Sequence, residues 1–205
     1  MARRYEQKAR AEQQEQTRRR IVEAALELHR TVGPAESSFS AVAERAGVQR
    51  STLYRHFADD RALFLACSGL HLDRHPFPDA TPWRDIRSPE ARARSGLSAV
   101  YGFWAENESL IANVLRDGER DAVLHEVNEF RMSGPLRLAR DALVEAWPER
   151  LRTPALVAAA ALAVDFRTWQ TLVRRSGLDQ ADAVALMASS LVHAAERGTG
   201  SAAAA

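Results

Sequence analysis

The stretch from Ser38 to Phe57 constrains the fold of this chain more than any other feature. Ser38 suits a helix N-cap, because its hydroxyl can accept a hydrogen bond from a free backbone N–H of the first turn. Apolar residues then recur at helical spacing, and Gly47 follows where a helix end favours a residue that tolerates positive φ. Leu53 and Phe57, four residues apart, would anchor a second short helix on the first. The pattern predicts two helices joined by a glycine turn.

The outer face of the second helix carries hydrogen-bond donors and no acid. These residues are Gln49, Arg50, Ser51, Thr52, Tyr54, Arg55 and His56. A helix that lies in a major groove between two phosphate backbones needs such a surface. The pattern therefore indicates a nucleic-acid-reading helix, with an ordinary solvated helix as the alternative.

Different roles are predicted within this face. Arg50 and Gln49 are the base-reading candidates, since arginine pairs with guanine and glutamine with adenine through two hydrogen bonds. Phosphate contacts position a helix without reading sequence, and this role is predicted for Thr52, Tyr54 and His56. Ser38 is a further phosphate candidate, with a plain N-cap as the alternative.

Composition favours an all-α chain with a sizeable core. Of the 205 residues, 46% are hydrophobic and 7% aromatic. Val, Ile and Thr do not gather into the alternating runs that predict strands. Net charge is +1, but residues 1–61 hold 12 Lys and Arg against 9 Asp and Glu. A basic N-terminal third on a mildly acidic remainder favours a DNA-reading module attached to a second domain.

The remaining composition indicates a cytoplasmic protein. Cys67 is the single cysteine, which excludes an internal disulfide and fits a reducing compartment. The N-terminus has no apolar signal region, and the longest apolar run, 155–164, is shorter than the about 20 residues that a bilayer requires. The sequence shows no metal cluster, nucleophile motif or phosphate loop, so we expect no enzyme and no cofactor.

Four segments are predicted along the chain. A polar arm, 1–16, either extends the first helix or is disordered; 17–65 form the helix–turn–helix domain; 66–197 form a larger helical domain; 198–205 form a disordered tail. In the larger domain, helices are expected near 89–106, 108–117, 120–147 with a potential interruption at Gly134-Pro135, 154–175 and 179–197.

The stretch from Arg18 to Leu65 resembles the DNA-binding domain of the tetracycline-repressor (TetR) family of one-component regulators. The matching motifs are Ile21-Val22-x-Ala24-Ala25-x-x-Leu28, Phe39-x-x-Val42-Ala43-x-x-Ala46-Gly47-Val48, Ser51-Thr52-Leu53-Tyr54-x-His56-Phe57 and Leu63. The residues that follow Gly47-Val48 are specific in combination. The resemblance as a whole covers about the first third of the chain.

The resemblance implies a homodimeric transcription factor that binds a near-palindromic operator in double-stranded DNA. A C-terminal helical domain would bind a small molecule, and the last two helices of each subunit would pair. Ligand binding would then release the DNA. This chain departs from the family at Asp60, where a lysine is common near the DNA backbone; the neighbouring Arg61 is predicted to take over that contact.

The basic residues that open the first helix, Arg18, Arg19 and Arg20, are also expected to include one or two phosphate contacts. His71 and His75, with Asp73 between them, have a spacing that can bind a metal from one helix face. A polar helix end is the preferred interpretation of this segment.

Ligand-binding candidates in the second domain are mainly aromatic, because pockets between bundle helices are the usual ligand sites of such folds. They are Tyr101, Phe103, Trp104, Asn107, Phe130, Trp147, Phe166, Trp169 and Gln170. The alternative for each aromatic residue is simple core packing. Two functions follow: a ligand-responsive DNA-binding regulator, in the form of a repressor, and a helical ligand-binding or scaffold protein whose helix–turn–helix has degenerated.

Overall fold

The computed structural model describes residues 2–200, with side chains placed for 5–197. This part of the chain is helical and contains no strand, so the predicted all-α class is confirmed. Its α-helices are α1 (Ala2–Thr31), α2 (Phe39–Arg45), α3 (Arg50–His56), α4 (Asp60–Arg74), α5 (Pro89–Gly118), α6 (Ala122–Val144), α7 (Pro154–Val164), α8 (Phe166–Trp169) and α9 (Gln180–Gly200).

The chain forms two compact units. The first unit combines the chain up to Pro76 with Glu108–Arg131, and the second combines Phe77–Asn107 with the chain from Met132 onward. Helices α5 and α6 each contribute residues to both units, so each unit is discontinuous in sequence. The domain boundary after Leu65 rests on the sequence motif alone and stays a prediction.

The core of the first unit joins α1, α2, α3 and α4. Its buried side chains are Ile21, Val22, Ala24, Ala25, Val42, Ala43, Ala46, Leu53, Phe57, Leu63 and Cys67. A smaller cluster places Phe64 of α4 against Leu124 and Val127 of α6. Burial of these apolar surfaces holds the short helices α2 and α3, which are too short to be stable alone.

The second unit has a buried arginine beside its apolar core. Arg92 of α5 is 7% exposed and donates hydrogen bonds to three backbone carbonyls, those of Arg84, Ile86 and Ala142, over 2.9 to 3.1 Å. A buried charge is tolerated only where hydrogen bonds replace its hydration. These three bonds tie the start of α5 to the loop before it and to the end of α6.

Three helix expectations are corrected by the structure. Helix α5 is a single helix where two were predicted, because Asn107 lies inside it and its amide donates to the Phe103 carbonyl one turn earlier (2.8 Å). Helix α6 continues through Pro135 without interruption. The helix predicted over 154–175 is broken at Asp165, and Gln170–Arg175 forms a π-helical segment.

The chain ends are also helical where the structure describes them. Helix α1 begins at Ala2, so the arm extends the first helix. Helix α9 continues to Gly200, which corrects the predicted end at 197, and residues 201–205 of the predicted tail lie outside the described residues. No single helix among the described residues is long and apolar enough to span a membrane; one pair, Pro154–Val164 with Phe166–Arg175, passes by length and composition but is bent by 67°.

Candidate nucleic-acid interface

The predicted helix–turn–helix is present as α2, a tight turn and α3. Ser38 caps α2, since its Oγ accepts from the Ala41 N–H over 3.2 Å. Gly47 has φ +64°, a conformation that side chains with a Cβ disfavour, and the Val48 N–H donates to the Ala43 carbonyl over 3.0 Å. The glycine therefore sets the direction in which the chain enters α3.

Two buried residues orient α3. Leu53 is 0% exposed and Phe57 is 1% exposed, and both pack into the core of the first unit. The opposite face is open to solvent at Gln49, Arg50, Ser51, Tyr54 and Arg55, whereas Thr52 and His56 are half-buried. The structure thus places six of the seven predicted residues of the outer face on α3 and the seventh, Gln49, at its N-cap.

Arg50 and Tyr54 interact with each other on this exposed face. The guanidinium lies 5.5 Å from the ring centroid of Tyr54, and its Nη2 donates to the tyrosine hydroxyl over 3.1 Å. The Tyr54 ring in turn lies 5.2 Å from the ring of Phe39 at the start of α2. Arg50 is consequently held against a ring that α2 supports, and its other guanidinium donors stay available.

The start of α4 carries the acids that depart from the family pattern. Asp59 caps α4 by accepting from the Ala62 N–H over 2.8 Å. Partial burial, Asp121 and Asp59 raise the pKa of the Asp60 carboxyl. Arg61, the predicted substitute phosphate contact, instead pairs with Glu126 of α6, with 2.9 Å between its Nη2 and Oε1. No local sequence pattern indicates this pair, because its members are 65 residues apart.

Arg18 is the arginine of the first helix that reaches α3. Its guanidinium lies 5.0 Å from the centroid of the Phe57 ring. Partial burial, then the charges of Arg55 and Arg18, lower the pKa of His56, so this imidazole is neutral near pH 7. Arg19 pairs with Glu23 instead (3.3 Å). A usable sequence signal exists, since Arg18 precedes Ile21 by three residues and so shares its helix face.

His71 and His75 lie close together at the end of α4, with ring centroids 5.2 Å apart. Burial lowers the pKa of His71 to about 4. Within the described residues, His, Cys, Asp and Glu form no group of three that could hold a metal ion.

The ligand candidates divide into a clustered set and a scattered set. Phe103, Trp104, Phe166 and Trp169 are buried in the second unit and form a row of ring contacts, with neighbouring centroids 5.2 to 5.6 Å apart. Buried Tyr101 and Asn107 lie on the same helix as Phe103 and Trp104, and Gln170 follows Trp169.

Two candidates lie elsewhere. Phe130 belongs to the first unit and is 67% exposed, so its ring is not part of a buried cluster. Trp147 is buried in the second unit, but among the described residues its ring contacts none of the rings in the row. Phe77 was not among the candidates predicted from the sequence, yet its ring contacts both Phe103 (5.1 Å) and Trp104 (5.6 Å).

Comparison with known proteins agrees with this geometry. Residues 21–67, which span α2, α3 and the adjoining parts of α1 and α4, match the family model of bacterial regulatory proteins, tetR family. Residues 21–67 are therefore an N-terminal domain of the TetR family. The chain is 37% identical over 93 residues to the HTH-type transcriptional regulator SrpR of Pseudomonas putida. That match covers 44% of this chain and spans 43% of the relative's length.

The helical fold extends beyond the matched domain. A crystal structure of a TetR-family regulator from Rhodococcus sp. superposes with a TM-score of 0.59 and covers 88% of this chain and 99% of that chain. Their sequences are 20% identical, so this likeness shows the fold alone. These relatives are named as regulators and not as enzymes.

Proposed function

We propose that this TetR-family chain is a DNA-binding transcriptional regulator, and that α3 is its recognition helix. The observation that carries the proposal is the outward, acid-free face of α3, fixed by the burial of Leu53 and Phe57. A short helix can read base edges only if its buried face fixes its orientation on the protein.

Within this proposal, Arg50 and Gln49 read bases, with Ser51 as an additional donor. Arg50 is exposed and lies in the first turn of α3, the part of a recognition helix that reaches base edges. Thr52, Tyr54, Arg55 and His56 contact phosphates, as does Arg18, which lies over the Phe57 ring. Arg61 joins them only when its pair with Glu126 opens.

The regulator acts as a homodimer on a near-palindromic operator. Helices α7 and α9 pack against each other in the second unit, and each leaves a leucine exposed: Leu162 is 60% and Leu186 is 47% exposed. Exposed apolar groups on adjoining helices support association with a second copy. A dimer also doubles the number of bases read, since two half-sites lie about one DNA turn apart.

A small molecule releases the DNA, which makes the protein a repressor. The row of buried aromatic rings in the second unit supports a ligand site there, because such sites are lined by apolar and aromatic side chains. We place the regulator in the cytoplasm, where the free, buried thiol of Cys67 stays reduced.

In vitro selection from random duplex DNA, followed by gel shifts at two salt concentrations, tests the DNA-binding proposal. The wild type should enrich a two-fold symmetric sequence and bind it more weakly at the higher salt. Arg50→Ala should lose the specific complex, whereas Arg137→Ala, which removes an exposed arginine of α6, should retain it. Failure to enrich any sequence would overturn the proposal.

One observation favours a degenerate helix–turn–helix, and with it a helical ligand-binding or scaffold protein. Asp59 and Asp60 open α4, and the next basic residue, Arg61, is held by Glu126. If the selection yields no sequence while analytical ultracentrifugation shows a dimer, this second function is the better account.

A further inference from the structure

Two buried hydrogen-bond donors in the second unit have no partner. They are the hydroxyl of Tyr101 and the indole Nε1 of Trp169, and both side chains are 0% exposed. A buried donor that loses its bond to water and gains no other is unfavourable, so native proteins rarely retain one without a function.

Both donors lie beside the break between α7 and α8. Trp104, one turn after Tyr101 on α5, donates its indole N–H to the Val164 carbonyl at the end of α7 (3.2 Å). Burial, and then the charge of Asp165, raise the pKa of the Tyr101 hydroxyl. The Trp169 ring stacks on Phe166, the first residue of α8, with centroids 5.4 Å apart.

The backbone at this break departs from regular α-helix. Asp165 ends α7 and caps α8, since its Oδ1 accepts from the N–H groups of Arg167 (2.8 Å) and Thr168 (3.1 Å). The chain bends by 67° there, and Gln170–Arg175 then adopts a π-helical segment. π-helical turns are rare and occur frequently at functional sites.

The aromatic row extends from the break to a partly exposed ring. Phe77 is half-buried at the end of the row and lies between Pro76 and Pro78, which have no N–H to donate. Its ring contacts Trp104, and Trp104 contacts Phe166 at the break. A planar molecule that takes the place of the Phe77 ring would keep the same kind of ring contacts along the row.

We propose that the α7–α8 break is the effector site, and that it takes a planar aromatic molecule with a hydrogen-bond acceptor. This inference rests on the proposed ligand response and specifies its chemistry. The rings bind the planar body, while one of the two free donors, the Tyr101 hydroxyl or the Trp169 N–H, donates to the acceptor. The Asp165 carboxylate opposes an anion in the same space, whereas the Arg174 guanidinium, 5.1 Å from the centroid of the Trp169 ring, would attract one.

Calorimetric titration with three probes tests the site: quinoline has a ring-nitrogen acceptor, naphthalene has the same shape without it, and 2-naphthoate is an anion. We expect the wild type to bind quinoline about tenfold more tightly than naphthalene, as one buried hydrogen bond provides. Since a ring nitrogen accepts one hydrogen bond, either Tyr101→Phe or Trp169→Phe should abolish this preference, whereas Trp83→Phe, a buried tryptophan outside the row, should keep it. A preference that survives both single substitutions would contradict the site. Equal affinities for quinoline and naphthalene, or no binding of either, would overturn the site.

Two further variants test the charge and the entry route. Asp165→Asn retains a side chain that caps helices well but removes the charge, so 2-naphthoate should bind better to this variant than to the wild type. Phe77→Ala vacates the ring position, so quinoline should bind more tightly. Unchanged affinity for 2-naphthoate in Asp165→Asn, or weaker quinoline binding in Phe77→Ala, would contradict the assignment.

These titrations contain no DNA. A protein that selects an operator but discriminates none of the probes would retain the proposed function and lose this inference. A protein that binds quinoline selectively but selects no DNA would lose the proposed function and retain this inference.

Discussion

Arg61 donates from Nη2 to Glu126 Oε1 over 2.9 Å, so the basic residue nearest the start of α4 is neutralised by an acid from α6. Both side chains are at least half exposed, and exposed ion pairs contribute little to stability. The pair therefore matters chiefly because it holds a cation that a phosphate could otherwise attract.

Glu126→Gln should strengthen DNA binding, because it frees Arg61 without removing it. Fluorescence anisotropy with the selected duplex should show a salt dependence of log K that is steeper by about one counterion. Glu129→Gln makes the same charge change at an exposed position of α6 that does not hold Arg61. Equal effects of both substitutions would show that net charge, not release of Arg61, is responsible.

The Arg50–Tyr54 contact predicts coupled effects on sequence discrimination. Arg50→Ala should cost about 1–3 kcal/mol in the preference for the selected duplex over a changed base pair. Tyr54→Phe keeps the ring but loses the hydroxyl that accepts from Arg50. If this hydroxyl positions Arg50, a double-mutant cycle should give less than the sum of the single effects. Additive losses would indicate that Tyr54 acts on a phosphate independently.

Gly47 gives a prediction about folding of the motif. A Cβ at this residue would contact no atom within 4 Å, so the only cost of a side chain is the backbone conformation at φ +64°. Gly47→Ala should lower the free energy of unfolding by about 1 kcal/mol, as measured by urea denaturation. Gly47→Asn should cost less, because asparagine tolerates this region. A larger loss in the asparagine variant would contradict the backbone explanation.

Buried histidines predict a loss of stability in acid. Burial lowers the pKa of His29 to about 4, although the Asp117 charge opposes this shift. Since the unfolded chain binds a proton near pH 6.5 and the folded chain does not, stability is full above pH 6.5 and falls as the pH drops towards 4. His71 has the same shift and should add to this loss.

His29→Phe should flatten this pH dependence by on the order of 2 kcal/mol between those limits, because the ring still packs on Phe64 but no longer titrates. Denaturation midpoints measured across the range provide the check. His125→Gln, which replaces an exposed histidine, should leave the slope unchanged. A slope that survives His29→Phe would assign the acid sensitivity to other groups.

Two tryptophans of the aromatic row provide a matched pair. Trp104→Phe and Trp169→Phe remove the same volume from buried positions, but only Trp104 donates its indole N–H, to the Val164 carbonyl. Thermal denaturation should therefore show Trp104→Phe to be more destabilising by about 1 kcal/mol. Equal losses, or a larger loss at Trp169, would imply that its N–H has a partner in solution.

The helix–turn–helix was predictable because its signals are local. Ser38, Gly47 and the spacing of Leu53 and Phe57 each act within a few residues, and the structure uses each as expected. The break at Asp165 was also marked locally, since an aspartate after an apolar run is a strong N-cap. It was missed because the apolar pattern continues through Phe166 and Trp169.

Other features depend on partners far away in sequence. The pairing of Arg61 with Glu126 and the contacts of Phe77 with α5 require the folded chain. The continuity of α5 was missed for a different reason: Asn107 favours helix ends in general, but its amide here bonds within the helix. Sequence reasoning therefore located the motif well and its electrostatic surroundings poorly.

The discontinuity of the first unit has a consequence for engineering this protein. A fragment that ended at Pro76 would keep the whole helix–turn–helix but would leave Phe64 without Leu124 and Val127, its partners from α6. Exchanging the DNA specificity of two such regulators by swapping their N-terminal segments would create the same mismatch. A functional chimera would have to transplant residues 108–131 along with the first 76, so the folded unit that carries the helix–turn–helix is encoded in two separate stretches of the gene.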